Sequence, residues 1–290
     1  MALSSFDQSR AAQREMGNNL SQIALAVTLT AIAPMTVSAQ APLPDEQLWR
    51  VALLNRVQID VLIGRPNEKQ PKAAIILMPG GDGRLKFNDF ARPNRLKNNF
   101  LVRNRDVLRR AGYVTALLDA PSDRLNKPGL LAGYRASKTH VTRDIAPIAL
   151  RLRETFRARV FIVGISRGAV SAANAARRLG SELAGAALLS ALTLPNRKGA
   201  TINNVMLDKI AIPTLFVHHV SDRCPVTPLH GARASFETMR GTKAAVRWTT
   251  VTGGADGSPA CKGKSYHGFW KAEGQALGHL KFWLNMILKR

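Results

Sequence analysis

Residues 158–179 read ARVFIVGISRGAVSAANAARRL, and three local patterns follow one another in them. Val160 to Val163 is a short apolar run rich in β-branched residues, the composition of a fully buried strand. Gly164-Ile165-Ser166-Arg167-Gly168 comes next and fits G-x-S-x-G, the pattern of a serine on a sharp strand-to-helix turn. Ala169, Ala172, Ala173, Ala176 and Leu179 then recur at helical spacing, with side chains small enough for the helix to lie close under a sheet. Glycines two positions either side of Ser166 leave out the Cβ atoms such a turn cannot accommodate. The turn also sets Ser166 at a helix N-terminus, where N–H groups and the helix dipole favour developing negative charge.

The same alternation of strand and helix continues outward. Gln47 to Ile63 contains Val57–Ile63, an alternating strand expected at one sheet edge. Ala73 to Met78 is a buried strand that runs into Pro79-Gly80-Gly81-Asp82-Gly83, a turn able to bring backbone N–H groups close to a ligand. A long polar and basic stretch, Leu85 to Arg105, is expected to wall the site before a helix ending at Gly112. Tyr113–Leu118 is the next strand, and the basic loop Ser122 to His140 precedes a helix with Ile145, Ile148, Ala149, Leu152 and Phe156 on one face. Further strands fall at 184–189, 212–220 and 245–251, and a final helix turns Phe269, Ala276, Leu280, Trp283 and Ile287 inward. Strands joined by helical crossovers predict an α/β fold with a mostly parallel sheet covered on both faces. The connection from Ser190 to Ile212 is too short for a large cap.

Residues 1–41 stand apart. Arg10 and Arg14 precede an apolar run from Ile23 to Ala33, Pro34 interrupts it, and Val37-Ser38-Ala39 offers small residues for cleavage. That order predicts a signal peptide with a short leader, and one domain over residues 42–290. Met1 and Met16 both remain open as the start. The competing reading, an uncleaved anchor, has too short a run for a span. The expected location is outside the cytoplasm, periplasmic or secreted. The net charge is +23 and stays there without the leader, which carries Asp7, Glu15, Arg10 and Arg14. Such a surface attracts polyanions, and association with an anionic envelope surface is one expectation. The basic residues are scattered and no helix-turn-helix, RNP or zinc-finger spacing is present, which argues against nucleic acid. No metal-ligand spacing or nucleotide loop implies a cofactor. Oligomeric state is not legible.

A serine hydroxyl attacks well only when a base takes its proton and an acid orients the base. His140 precedes Ser166 in a loop; His218 and His219 lie in an apolar strand, where at most one faces inward; His279 is on the polar side of the last helix. His267, in a Ser-Tyr-His-Gly-Phe turn after the last strand, is placed to swing over Ser166. Asp222 directly follows the strand ending at Val220 and is the favoured acid, with Asp256 in a glycine-rich loop as its rival.

The order Ser166, Asp222, His267 is that of the α/β-hydrolases. From about residue 50 onward the chain resembles that superfamily, and within it the compact, cap-poor dienelactone-hydrolase-like exported proteins. Leu77-Met78-Pro79-Gly80-Gly81, the Ser166 pentapeptide, Asp222 and His267-Gly268-Phe269 carry the resemblance. It implies an oxyanion hole made by the N–H of Arg167 and one from Gly80 or Gly81. Arg167 is an unusual residue after the nucleophile, and Ser166 stands where the dienelactone enzymes have cysteine. The implied activity is cleavage of an ester, thioester or amide in a small acyl substrate through an acyl-enzyme, with acyl length, leaving group and physiological substrate open. The alternative is a hydrolase-fold protein that binds envelope polyanions without catalysis. Cys224 and Cys261, the two cysteines, flank Asp222 and His267. If those loops converge in this fold, an exported protein is expected to join them in a disulfide.

Overall fold

The computed structural model describes residues 45–195, 199–242 and 244–290; the leader and its cleavage site lie outside them. Eight strands form one sheet: β1 (Glu46–Ala52), β2 (Gln58–Gly64), β3 (Ala73–Met78), β4 (Tyr113–Leu118), β5 (Val160–Ile165), β6 (Gly185–Leu189), β7 (Thr214–His219) and β8 (Val246–Val251). Their order is β1-β2-β4-β3-β5-β6-β7-β8. Pairing is antiparallel from β1 to β2 and from β2 to β4, and parallel from β4 to β8.

Among the described residues six α-helices accompany them: α1 (Phe100–Arg110), α2 (Ala132–Arg135), α3 (Ala146–Phe156), α4 (Arg167–Leu179), α5 (Leu229–Arg240) and α6 (Glu273–Leu288). Strand alternation sorts the core into two layers. In β3, Ala74, Ile76 and Met78 face the layer built with α3, α4 and α5, whereas Ala73, Ile75 and Leu77 face the layer of α1 and α6. Both faces being covered, β3, β4, β5 and β6 are buried along their whole length, which is why they read as continuous apolar runs. No helix of the described residues is long and apolar enough to cross a membrane.

Three expectations change. The Val57–Ile63 segment is β2, one strand in from the edge, because β1 pairs outside it with Trp49 opposite Val61. Trp49 stacks on Phe156 and Glu46 meets Arg105 at 2.7 Å, contacts between distant residues that local alternation does not announce. The segment 122–140 is more than a loop. It contains α2 and leads into a π-helical turn, His140–Ile145, that buries His140. Helix α4 accordingly has no solvent face over Gly168–Ala176: α2 and the π-turn cover the side that carries Ser171 and Asn174. Finally, Phe269 precedes α6 and packs edge-on against Phe100.

Candidate active site

Ser166 occupies the turn between β5 and α4 with φ 58° and ψ −124°, a conformation that costs a non-glycine residue about 1–3 kcal/mol. The surroundings enforce it. Ser166 N–H donates to the Leu189 carbonyl at 2.9 Å, its carbonyl accepts from Ala169 N–H at 3.0 Å, and a Cβ on Gly168 would run into the Met78 carbonyl. The Pro79–Gly83 turn leaves the C-terminal end of the neighbouring β3 and lies against the serine. A Cβ on Gly80 would sit 2.9 Å from Ser166 Cβ and 3.5 Å from its Oγ. Arg167 is the first residue of α4, so its N–H belongs to the unpaired first turn of that helix.

His267 belongs to a 3₁₀ turn, Tyr266–Gly268, held from several directions. Ser190 Oγ donates to the His267 carbonyl at 2.9 Å, and Arg103 Nη2 donates at 2.7 Å both to the Gly268 carbonyl and to Glu273. Asp222 follows β7 in a turn closed by its N–H on the His219 carbonyl. His267 Nδ1 lies 2.9 Å from Asp222 Oδ2, with both side chains buried. Thr227 donates its hydroxyl to the same oxygen at 2.9 Å and lies 3.1 Å from His267 Nδ1, while Cys224 N–H donates to Asp222 Oδ1 at 2.9 Å. The imidazole is thus set with Nδ1–H on the carboxylate, which leaves Nε2 as the basic nitrogen. Ser166 and His267 line one cavity of about 400 Å³ together with Gly80, Gly81, Lys97 and Lys262.

The remaining candidates are elsewhere. Asp256 lies 3.8 Å from Arg223 and not on His267. His218 and His219 are both buried, contrary to the expectation that at most one faces inward, because β7 is covered on both faces. His218 Nε2 donates to the Thr227 carbonyl at 2.9 Å, and burial pushes its pKa down to about 4 although Asp222 works against the shift. His219 bonds the Gly253 carbonyl at 2.8 Å and stacks on Tyr266. His140, expected in a loop, is fully enclosed under α4. Cys224 and Cys261 form a disulfide with Cα atoms 4.7 Å apart, tying the Asp222 turn to the loop that leads to His267. Thr227 was not foreseeable: a threonine five residues beyond an acid has no signature of its own.

No family model and no curated protein matches the chain. Solved structures do. An esterase of Pyrococcus furiosus superposes with a TM-score of 0.58 at 11% identity, over 82% of this chain and 93% of that one. Est1E from Butyrivibrio proteoclasticus gives 0.55 at 14% identity, over 84% and 99%. The dienelactone hydrolase of Anabaena variabilis gives 0.51 at 16% identity, over 83% and 98%. With the strand order above, these likenesses show that the chain has the α/β-hydrolase fold.

Proposed function

We propose that the protein is a serine hydrolase that cleaves a small carboxylic ester through an acyl-enzyme. The observation that carries this reading is the strained Ser166 turn sharing a cavity with a histidine whose Nδ1 is fixed on a buried carboxylate. In this mechanism Ser166 Oγ attacks the ester carbonyl and its proton passes to His267 Nε2. Asp222 and Thr227 hold the imidazolium that forms. The tetrahedral oxyanion takes the N–H of Arg167 and one from Gly80 or Gly81. Collapse expels the alcohol with the proton from His267, and water repeats the sequence to release the acid. The esterases among similar structures support an ester substrate. Thioesters and amides are accessible to the same chemistry.

The proposal includes export: the first 41 residues are removed and residues 42–290 function as a single domain outside the cytoplasm. The disulfide supports an oxidising compartment. N-terminal sequencing of the mature protein tests it, and an intact Met1 in a cytosolic fraction would refute it. The catalytic reading is tested with a fluorophosphonate probe and neutral p-nitrophenyl esters. Wild type takes the label and turns over the esters; Ser166→Ala does neither, and His267→Ala loses several orders of magnitude in kcat. A Ser166→Ala protein that still hydrolyses esters would overturn the assignment. An unlabelled, inactive wild type would leave the binding-only alternative.

A further inference from the structure

Under the Pro79–Gly83 turn lies a charged cluster that the mechanism above does not use. Arg135, the last residue of α2, is fully buried, yet none of its arms meets a carboxylate. Its Nε donates to the Leu130 carbonyl at 3.1 Å, Nη1 to Ser171 Oγ at 2.9 Å and Nη2 to the Pro79 carbonyl at 3.1 Å. Asp82 acts on it only through space, being bonded to Arg84 and Arg95, and a buried guanidinium with no carboxylate on its arms is unfavourable even when hydrogen-bonded. Met or Leu would fill such a space more cheaply, so the contacts themselves need a reason.

Those contacts join two elements. Ser171 is on α4, whose first turn carries Arg167 N–H; Pro79 belongs to the peptide unit that ends in Gly80 N–H. In a planar trans peptide the carbonyl and the N–H point in opposite directions, so fixing the Pro79 carbonyl from below fixes the Gly80 N–H above. The next carbonyl, of Gly80, accepts from Gly83 N–H at 3.3 Å, which sets the Gly81 N–H in the same way. A Cβ on Gly83 would come within 2.5 Å of Arg135 Nη2, so the turn wraps the guanidinium closely. The Ser171 end is equally fixed. His140 Nε2 lies 2.9 Å from Ser171 Oγ and its Nδ1 2.9 Å from Asp144, which also accepts from Tyr134 and Arg143 at 2.7 Å. Burial holds His140 below its usual pKa. The neutral ring donates through Nδ1 to Asp144 and accepts the Ser171 hydroxyl proton at Nε2, leaving Ser171 Oγ to accept from Arg135. Though its residue types echo a catalytic triad, Ser171 is sealed and capped by Arg135, and cannot meet a substrate.

We propose that Arg135 is a positioning residue for oxyanion stabilisation, clamping the Gly80–Gly81 donors to the helix that supplies the Arg167 donor. The inference rests on the ester-hydrolase reading. Removing one donor outright from an oxyanion hole costs about 10²–10³ in kcat, and loosening it costs less.

The test is Arg135→Met, which keeps the volume and removes the donors, beside Arg135→Lys, which keeps one donor and the charge. With neutral p-nitrophenyl esters, Arg135→Met is expected to lose about 10- to 100-fold in kcat with KM within twofold. Arg135→Lys is expected to lose less. Affinity for an aryl boronic acid, a tetrahedral analogue, should fall by the same factor as kcat/KM, which a merely structural change would not produce. Arg109→Met removes another buried arginine, at the opposite end of the sheet, and should leave kcat unchanged. If Arg135→Met does not fold, Arg135→Lys decides alone by the same readouts. Wild-type kcat in the Met variant (or, where it does not fold, in the Lys variant), unchanged boronate affinity, or an equal kcat loss in Arg109→Met overturns the inference while leaving the hydrolase reading intact. A wild type that neither hydrolyses esters nor binds the boronate removes both.

Discussion

Thr227 lies beside both members of the His267–Asp222 contact. Its hydroxyl donates to Asp222 Oδ2, the oxygen that also receives His267 Nδ1. Thr227→Val should therefore lower kcat about 3- to 30-fold with KM little changed, and Thr227→Ser should restore most of it; steady-state kinetics on a p-nitrophenyl ester checks both. His218, buried and neutral behind the same carboxylate, makes a prediction about acid. Its folded pKa of about 4 lies below the unfolded value near 6.5, so the unfolded chain binds the extra proton first as pH falls. The stability it contributes is whole above about pH 6.5 and is lost progressively toward pH 4, up to about 3 kcal/mol. His140 is shifted the same way. Urea melts of wild type and His218→Gln at pH 7 and pH 4.5 measure it: the variant should show the smaller pH difference. The convergence of Ser166, Asp222 and His267 at one end of the sheet was legible because each follows a recognisable strand or turn in a recognisable order. Thr227, Arg135 and Ser171 were not, since their partners are 40, 56 and 36 residues away and their own neighbourhoods are ordinary.

Elements were legible in proportion to how fully they are buried. β3, β4 and β5 are apolar from end to end, and the sequence-based limits fall on or within two residues of theirs. β1, EQLWRVA, alternates imperfectly and owes its place to Phe156, Arg151 and Arg105, none of them near in the chain. The π-turn at His140–Ile145 exists because Asp144 and Ser171 draw the His140 ring inward, a tertiary demand with no local period. The covalent link between loops was legible, because two cysteines flanked the two residues that had to meet. Closing 37 residues of chain stabilises by about 3–4 kcal/mol in the chain-entropy model. Cys224→Ser should accordingly melt several degrees lower and lose kcat, as Asp222 and His267 are held by fewer constraints. Thermal melts and kinetics of the oxidised wild type beside the variant test this; equal Tm and equal kcat would remove the link from the catalytic account.

At the scale of the molecule, charge and connectivity matter most. The cavity bearing Ser166 has Lys97, Lys262 and Lys264 in its lining and no carboxylate, on a chain of net charge +23. Such a field draws anionic substrates and weakens as salt shortens its range to about 8–10 Å. For a hemisuccinate ester, kcat/KM should fall several-fold between 20 and about 200 mM salt, while a neutral ester of equal length stays nearly flat. Lys97→Glu with Lys262→Glu should erase the difference. The order of the sheet has one more consequence, for synthesis. Ser166 lies in the middle of the sheet and its turn needs only β3, β5, β6 and α4, all made by residue 189. Asp222 comes later, and among the contacts that hold the His267 turn the one from Arg103 to Glu273, at the start of the last helix, waits for residue 273. A ribosome-bound chain therefore has the elements of its Ser166 turn long before it has His267. On the proposed mechanism, that order keeps the unfinished chain inactive.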